Sequence, residues 1–152
     1  MQDQITVEEK AAQPTISIRT RTAVENLPQV LGKAYGTIMN FLFEIGVQPA
    51  GASYVGYFNM DMQDMDIEIG FPVGQAILGR DDLQASEIPA GKQASCLYTG
   101  PYNKIDSAYN ALMEWIPANG YEATGVCYEF YLNDPAQTPE SELLTQIVFL
   151  LK

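Results

Sequence analysis

The sequence predicts an α+β fold of two pseudo-symmetric β-α-β-β repeats, with antiparallel sheets and two long helices flanking a central cleft. Three observations predict it. Shifted by 74 residues (108 minus 34), the chain aligns with itself without a gap from Ala34 to Asn59, with eight identities in 26 positions, where ordinary composition gives roughly two. Apolar residues recur at helical spacing twice, and each helical stretch is followed by two strand-like stretches. Matched glycines, Gly46 with Gly120 and Gly51 with Gly125, mark matched backbone turns.

The elements follow in order. A polar tail, residues 1–13, precedes a single domain over 14–152, whose halves run from about 14 to 80 and from 85 to 152. Thr15 to Thr22 alternates, with Ile16 and Ile18 on one side and Ser17, Arg19 and Arg21 on the other, the pattern of a half-buried strand. Asn26 and Pro28 read as a cap and a first-turn residue. The helix that follows carries an apolar stripe from Leu27 to Ile45 and stops at Gly46. Strands are expected over about 53–59 and 66–73, joined by an acidic, Met-rich turn. The second half repeats the order: a strand over about 93–98, a helix to about Ala118 stopped by Gly120, and strands over about 126–133 and 144–151.

At 152 residues, one domain burying roughly two-thirds of its unfolded surface is expected. The net charge of −11, from 19 acidic and 8 basic side chains, repels a phosphate backbone and argues against direct nucleic-acid binding. There is no apolar leader and no run of membrane-spanning length, so a cytoplasmic protein without a membrane partner is expected. The chain has no histidine, and its two cysteines, Cys96 and Cys127, lack metal-ligand spacing. They read as buried free thiols, and no metal and no cofactor are expected. Asp61, Asp64, Asp66 and Glu68 are misspaced for a calcium loop and read as a solvated hairpin. Met60, Met62 and Met65 read as loop and edge residues.

Where the repeat breaks, chemistry is expected. Tyr54-Val55-Gly56-Tyr57 aligns with Tyr128-Glu129-Phe130-Tyr131, so Glu129 stands where the first half has Val55. A carboxylate inside an aromatic strand needs a partner or a purpose. Strand alternation puts Glu129 on one face with Cys127 and Tyr131; parity alone leaves open whether that face lines a cleft or meets solvent. A carboxylate among tyrosines suits an organic cation. At about 4 Å and an effective dielectric near 20 the charge pair is worth about 4 kcal/mol before desolvation, and each cation–π contact adds roughly 0.5–2 kcal/mol. The expected ligand-binding residues are Glu129, Tyr131, Tyr57, Val55, Tyr35, Tyr109, Trp115 and Phe71.

Four segments carry a resemblance to a known family: Glu68-Ile69-Gly70-Phe71-Pro72-Val73, Ile88-Pro89-Ala90-Gly91-Lys92, Gly100-Pro101-Tyr102, and Tyr128 to Pro135. In these the chain resembles the GyrI-like effector-binding domains, which occur alone and fused to bacterial transcription regulators of the AraC and MerR types. The resemblance covers nearly all of the chain after the polar tail. It implies a cleft that takes varied, hydrophobic or cationic compounds, as in multidrug binding, with Glu129 as the central polar residue. It also implies an alternative, since some standalone members resemble hydrolases that open cyclopropane-bearing toxins with the same glutamate; Glu129 would then be catalytic. The sequence shows no DNA-reading domain, so the expectation is a standalone receptor for a small organic cation. A protein partner such as gyrase, attracted by the acidic surface, is the third candidate.

Overall fold

The computed structural model describes residues 5–152; the first four residues of the expected tail lie outside the described residues. The chain divides into two compact units, one formed by 5–10 with 91–152 and the other by 11–90. Each is α+β, with four antiparallel strands and one long helix.

The 11–90 unit contains β2 (Gln13–Thr22), α1 (Leu27–Ile45), β3 (Tyr54–Tyr57), β4 (Met65–Pro72) and β5 (Gln84–Ile88), with strand order β3-β4-β2-β5. Pro28 occupies the first turn of α1, and Gly46 ends it with φ 71°, its N–H returning to the Leu42 and Phe43 carbonyls. Glycine, lacking a Cβ, adopts that left-handed geometry at no steric cost. Ala34, Ile38, Phe41 and Leu42 are buried; Ile38, Phe41 and Leu42 pack with Ile16, Val73 and Leu83 into one core. Asn26 precedes the helix but makes no side-chain capping bond, because a one-turn 3₁₀ helix, Val24–Asn26, leads into α1 and holds Asn26 in helical dihedrals.

The other unit contains β1 (Thr6–Lys10), β6 (Gly91–Thr99), α2 (Asp106–Ala118), β7 (Ala123–Tyr131) and β8 (Leu144–Leu151), with strand order β1-β6-β8-β7. Part of the expected tail is therefore a strand: Thr6–Lys10 pairs with Gly91–Ser95. It is an exposed edge strand rich in charge, a composition that discourages pairing with other chains. Ala108, Leu112 and Ile116 bury one face of α2 against Ala94, Cys96, Ile147 and Leu151. Burying each large aliphatic side chain contributes roughly 1.5–3 kcal/mol. β7 bulges: four residue steps from Ala123 to Cys127 answer two from Leu151 to Phe149, with Gly125 at φ 98° inside the bulge. The surplus is even, so Ala123 and Cys127 keep the same face, and the strand then runs in register through Glu129 to Tyr131.

Neither Cys96 nor Cys127 is in a disulfide, and both are buried. Met60 and Met62 are exposed, but Met65 is buried. No helix among the described residues is long and apolar enough to cross a membrane.

Candidate functional site

Registry decides which way Glu129 points. It sits opposite Ile147, which sits opposite Cys96 on the next strand, and both of those residues belong to the core under α2. Directly opposite residues share a face, so Glu129 projects to the helix side. It is 9% exposed.

Two tyrosine hydroxyls meet the carboxylate there. Tyr131, two residues on along β7, donates to Oε1 at 2.8 Å. Tyr109, from α2, donates to Oε2 in a short hydrogen bond. A second layer of rings follows: Tyr102 packs edge-on against Tyr131 with centroids 5.7 Å apart, and Phe149 lies 5.8 Å from Tyr109. Tyr102 comes from a one-turn 3₁₀ helix, Tyr102–Lys104, and is 38% exposed.

Burial is the main influence on Glu129 and raises its pKa above the ordinary glutamate value; the bonds from Tyr109 and Tyr131 pull it back. Desolvation disfavours the charged form, and donors aimed at the carboxylate favour it. Cys127, on the same face, is pushed up to about 12 by burial, with the Glu129 charge adding and a hydrogen bond with Tyr109 opposing. Tyr102 is raised by burial first, then by the carboxylates of Glu129 and Asp134. The arrangement can offer a localised negative charge and aromatic faces to a cation, or let Glu129 hold its proton to higher pH than an ordinary glutamate does.

Of the residues singled out from sequence, Glu129, Tyr109 and Tyr131 meet directly. Trp115, in the same unit, stacks on Tyr121 at 6.1 Å and packs against the core. The other four lie in the 11–90 unit. Val55 is wholly buried on β3 opposite Ile69. Tyr35 packs edge-on against Phe71 at 5.5 Å, and its hydroxyl donates to the Tyr54 carbonyl at 3.2 Å. Tyr57 is half-buried on β3 opposite Ile67. Tyr102 and Phe149 are site residues that sequence reasoning did not single out, although Tyr102 lies in the Gly100-Pro101-Tyr102 segment.

The acidic hairpin is engaged in ion pairs rather than open for a ligand: Arg19 grips Asp66 at 2.7 Å and Arg21 grips Asp64 at 3.1 Å. A cavity of about 390 Å³ in the 11–90 unit is lined by Thr37, Asn40, Phe41, Glu44 and Arg80 among others. Its Arg80 and Glu44 pair with each other at 2.6 Å. It holds none of the residues singled out from sequence.

No curated protein sequence matches the chain. Solved structures do. The crystal structure of the EcmrR C-terminal domain superposes with a TM-score of 0.88 at 21% identity, over 100% of this chain and 99% of that one. A hydrolase from Listeria innocua gives a TM-score of 0.72 at 8% identity, over 99% of this chain and 92% of that one. SAV2435, in a structure bound to tetraphenylphosphonium, gives 0.64 at 10% identity, over 98% and 94%. At these identities the likeness is one of fold. The sequence itself matches the GyrI-like small molecule binding domain over residues 3–152, and the chain belongs to that family.

Proposed function

We propose that this domain binds hydrophobic, aromatic organic cations, with the Glu129 carboxylate as the charge that recognises them. The observation that carries the reading is a carboxylate 9% exposed whose two oxygens are each held by a tyrosine hydroxyl. A buried carboxylate is costly unless something compensates it. Two neutral donors orient it but leave its charge unmatched, and a cation would match it. Tyr131, Tyr109, Tyr102 and Phe149 supply ring faces and edges for the apolar part of the ligand. The family's small-molecule binding supports this, and SAV2435 was solved with a cation of this kind.

The test compares tetraphenylphosphonium with the neutral triphenylphosphine oxide. Glu129→Gln should weaken the cation about tenfold or more and leave the neutral compound nearly unchanged. Equal loss for both, or none for either, removes the reading. Val55, Tyr57, Tyr35, Phe71 and Trp115 form the wider part of the proposal, and Tyr35→Ala, Tyr57→Ala and Trp115→Ala are checked by the same titrations. We read the halves as a duplicated β-α-β-β unit, and place the protein in the cytoplasm as a drug-responsive receptor of the kind attached to transcription regulators.

A second reading is favoured by the raised Glu129 carboxyl beside the Tyr109 hydroxyl and by the hydrolase among the structural relatives. Glu129 would act as general base on water attacking a strained cyclopropane, with a tyrosine hydroxyl steadying the developing negative charge. Turnover that Glu129→Gln abolishes supports it. Stoichiometric binding without product removes it.

A further inference from the structure

One buried polar group on the Glu129 face is used by nothing around it. Thr145, on β8, is wholly buried, and its hydroxyl has no hydrogen-bonding partner among the described residues. Native proteins rarely leave a buried hydroxyl unmatched, and those that do so call for an explanation. Its position is informative. Thr145 sits opposite Tyr131 on one side and Tyr98 on the other, one strand-pair step from the Ile147–Glu129 pair. Directly opposite residues share a face with Cβ atoms about 5 Å apart, and the diagonal neighbour lies about 7–8 Å away.

The flanking hydroxyls are both committed elsewhere. Tyr131 donates to Glu129, and Tyr98 donates to the Pro101 carbonyl at 2.7 Å. The second bond ties the strand carrying Tyr98 to the turn that presents Tyr102, whose half-exposed ring leans on Tyr131. Tyr102 is the most exposed ring of this cluster.

We propose that the Thr145 hydroxyl is a second recognition point of the site: it hydrogen-bonds a polar substituent on the bound cation, so that cations carrying a hydroxyl or amine are preferred over bare ones. The proposal rests on the Glu129 reading. It also accounts for a β-branched residue of strand-favouring shape keeping its hydroxyl where valine would fill the same volume. Sites of recognition are where proteins retain groups that the empty fold does not need.

The experiment uses the full chain as wild type, Thr145→Val, Thr145→Ser and Glu129→Gln. Each is titrated with tetraphenylphosphonium and with (4-hydroxyphenyl)triphenylphosphonium, which differ by one hydroxyl. Melting is followed without ligand. Thr145→Val should raise Tm by about 1–4 °C, because it removes an unmatched buried hydroxyl. It should weaken the hydroxylated cation about tenfold and leave the bare one unchanged. Thr145→Ser should keep the preference. A fall in Tm on Thr145→Val, equal loss for both cations, or an unchanged preference overturns the proposal. Glu129→Gln reports separately: if it leaves both cations unaffected, the Glu129 reading fails and this proposal with it, whereas if it weakens both while Thr145→Val leaves the preference unchanged, this proposal alone fails. Failure of both cations to bind the wild type overturns both.

Discussion

The Tyr131 hydroxyl donates to Glu129 Oε1 at 2.8 Å from two positions further along the same strand. Tyr109 donates to the other oxygen from the helix laid across that face. One donor is thus set by the strand alone, while the other depends on how α2 docks. Tyr131→Phe and Tyr109→Phe should each remove a bond that favours the ionised form, raising the Glu129 pKa further. The cation-affinity profile should move to higher pH in both variants, so that each binds the cation more weakly than the wild type on the rising part of its profile and equally on the plateau. Because both act on one carboxylate, the double variant should depart from additivity. Titrations of the four proteins across pH check this, and unshifted profiles would contradict it.

Asn59 and Asn133 close their loops in the same way. Asn59 donates from Nδ2 to the Asp64 carbonyl and accepts from the Asp66 N–H, both at 3.0 Å. Asn133 donates to the Glu142 carbonyl and accepts from the Leu144 N–H, both at 3.0 Å. Each side chain therefore bridges the carbonyl and the amide two residues apart that open the next strand. Replacing either with alanine should cost about 1–2 kcal/mol, and with leucine no less, because the backbone groups lose their partners. Denaturant unfolding measures it. The two side chains share no hydrogen-bonding partner among these four bonds, so the double variant should be additive within about 0.5 kcal/mol.

Those asparagines were legible as a matched pair 74 residues apart, and so were the glycines that end the helices, Gly46 at φ 71° and Gly120 at φ 84°. Strand parity gave Glu129 the company of Cys127 and Tyr131; its burial took the register with Ile147 to show. Other parts had no such signal. β1 and β5 carry few apolar residues because they are edge strands buried little on either face, so alternation had nothing to report. Trp115 follows Tyr109 by six residues, about 240° around the helix, so the helix turns its indole to Tyr121 while Tyr109 reaches Glu129. Tyr102 comes from a single 3₁₀ turn, whose side-chain directions no period encodes. Thr145 reads in sequence as an ordinary strand residue; its unmatched hydroxyl is a property of the packed fold.

Cys127 shares the Glu129 face, and burial with the neighbouring carboxylate holds its thiol up at about 12. The thiolate is the reactive form, so the folded protein should resist alkylation by iodoacetamide at pH 8. In denaturant, both Cys127 and Cys96 should label fully. Mass spectrometry of the intact chain separates the states. Rapid labelling of Cys127 in the native protein would mean that the site opens far more than its packing implies.

The Glu129 carboxyl makes its own prediction about pH, and stability and binding respond in opposite directions. Burial raises its folded pKa above the unfolded value, so between those two values the folded state holds more proton than the unfolded one. The linked stability is fully present below the ordinary glutamate range and is lost as pH rises through the raised folded value. Ligand affinity runs the other way, because a permanent cation favours the ionised carboxylate. Below the raised pKa, affinity should climb toward tenfold per pH unit with release of one proton, and above it should level off. Glu129→Gln should flatten both profiles, leaving whatever slope the remaining carboxylates produce. Calorimetric titration of tetraphenylphosphonium in buffers of different ionisation enthalpy, between about pH 4 and pH 8, reads the proton count directly. No proton release at any pH, together with wild-type and Glu129→Gln affinities of identical slope, would show that the charge of this carboxylate is not what the cation meets.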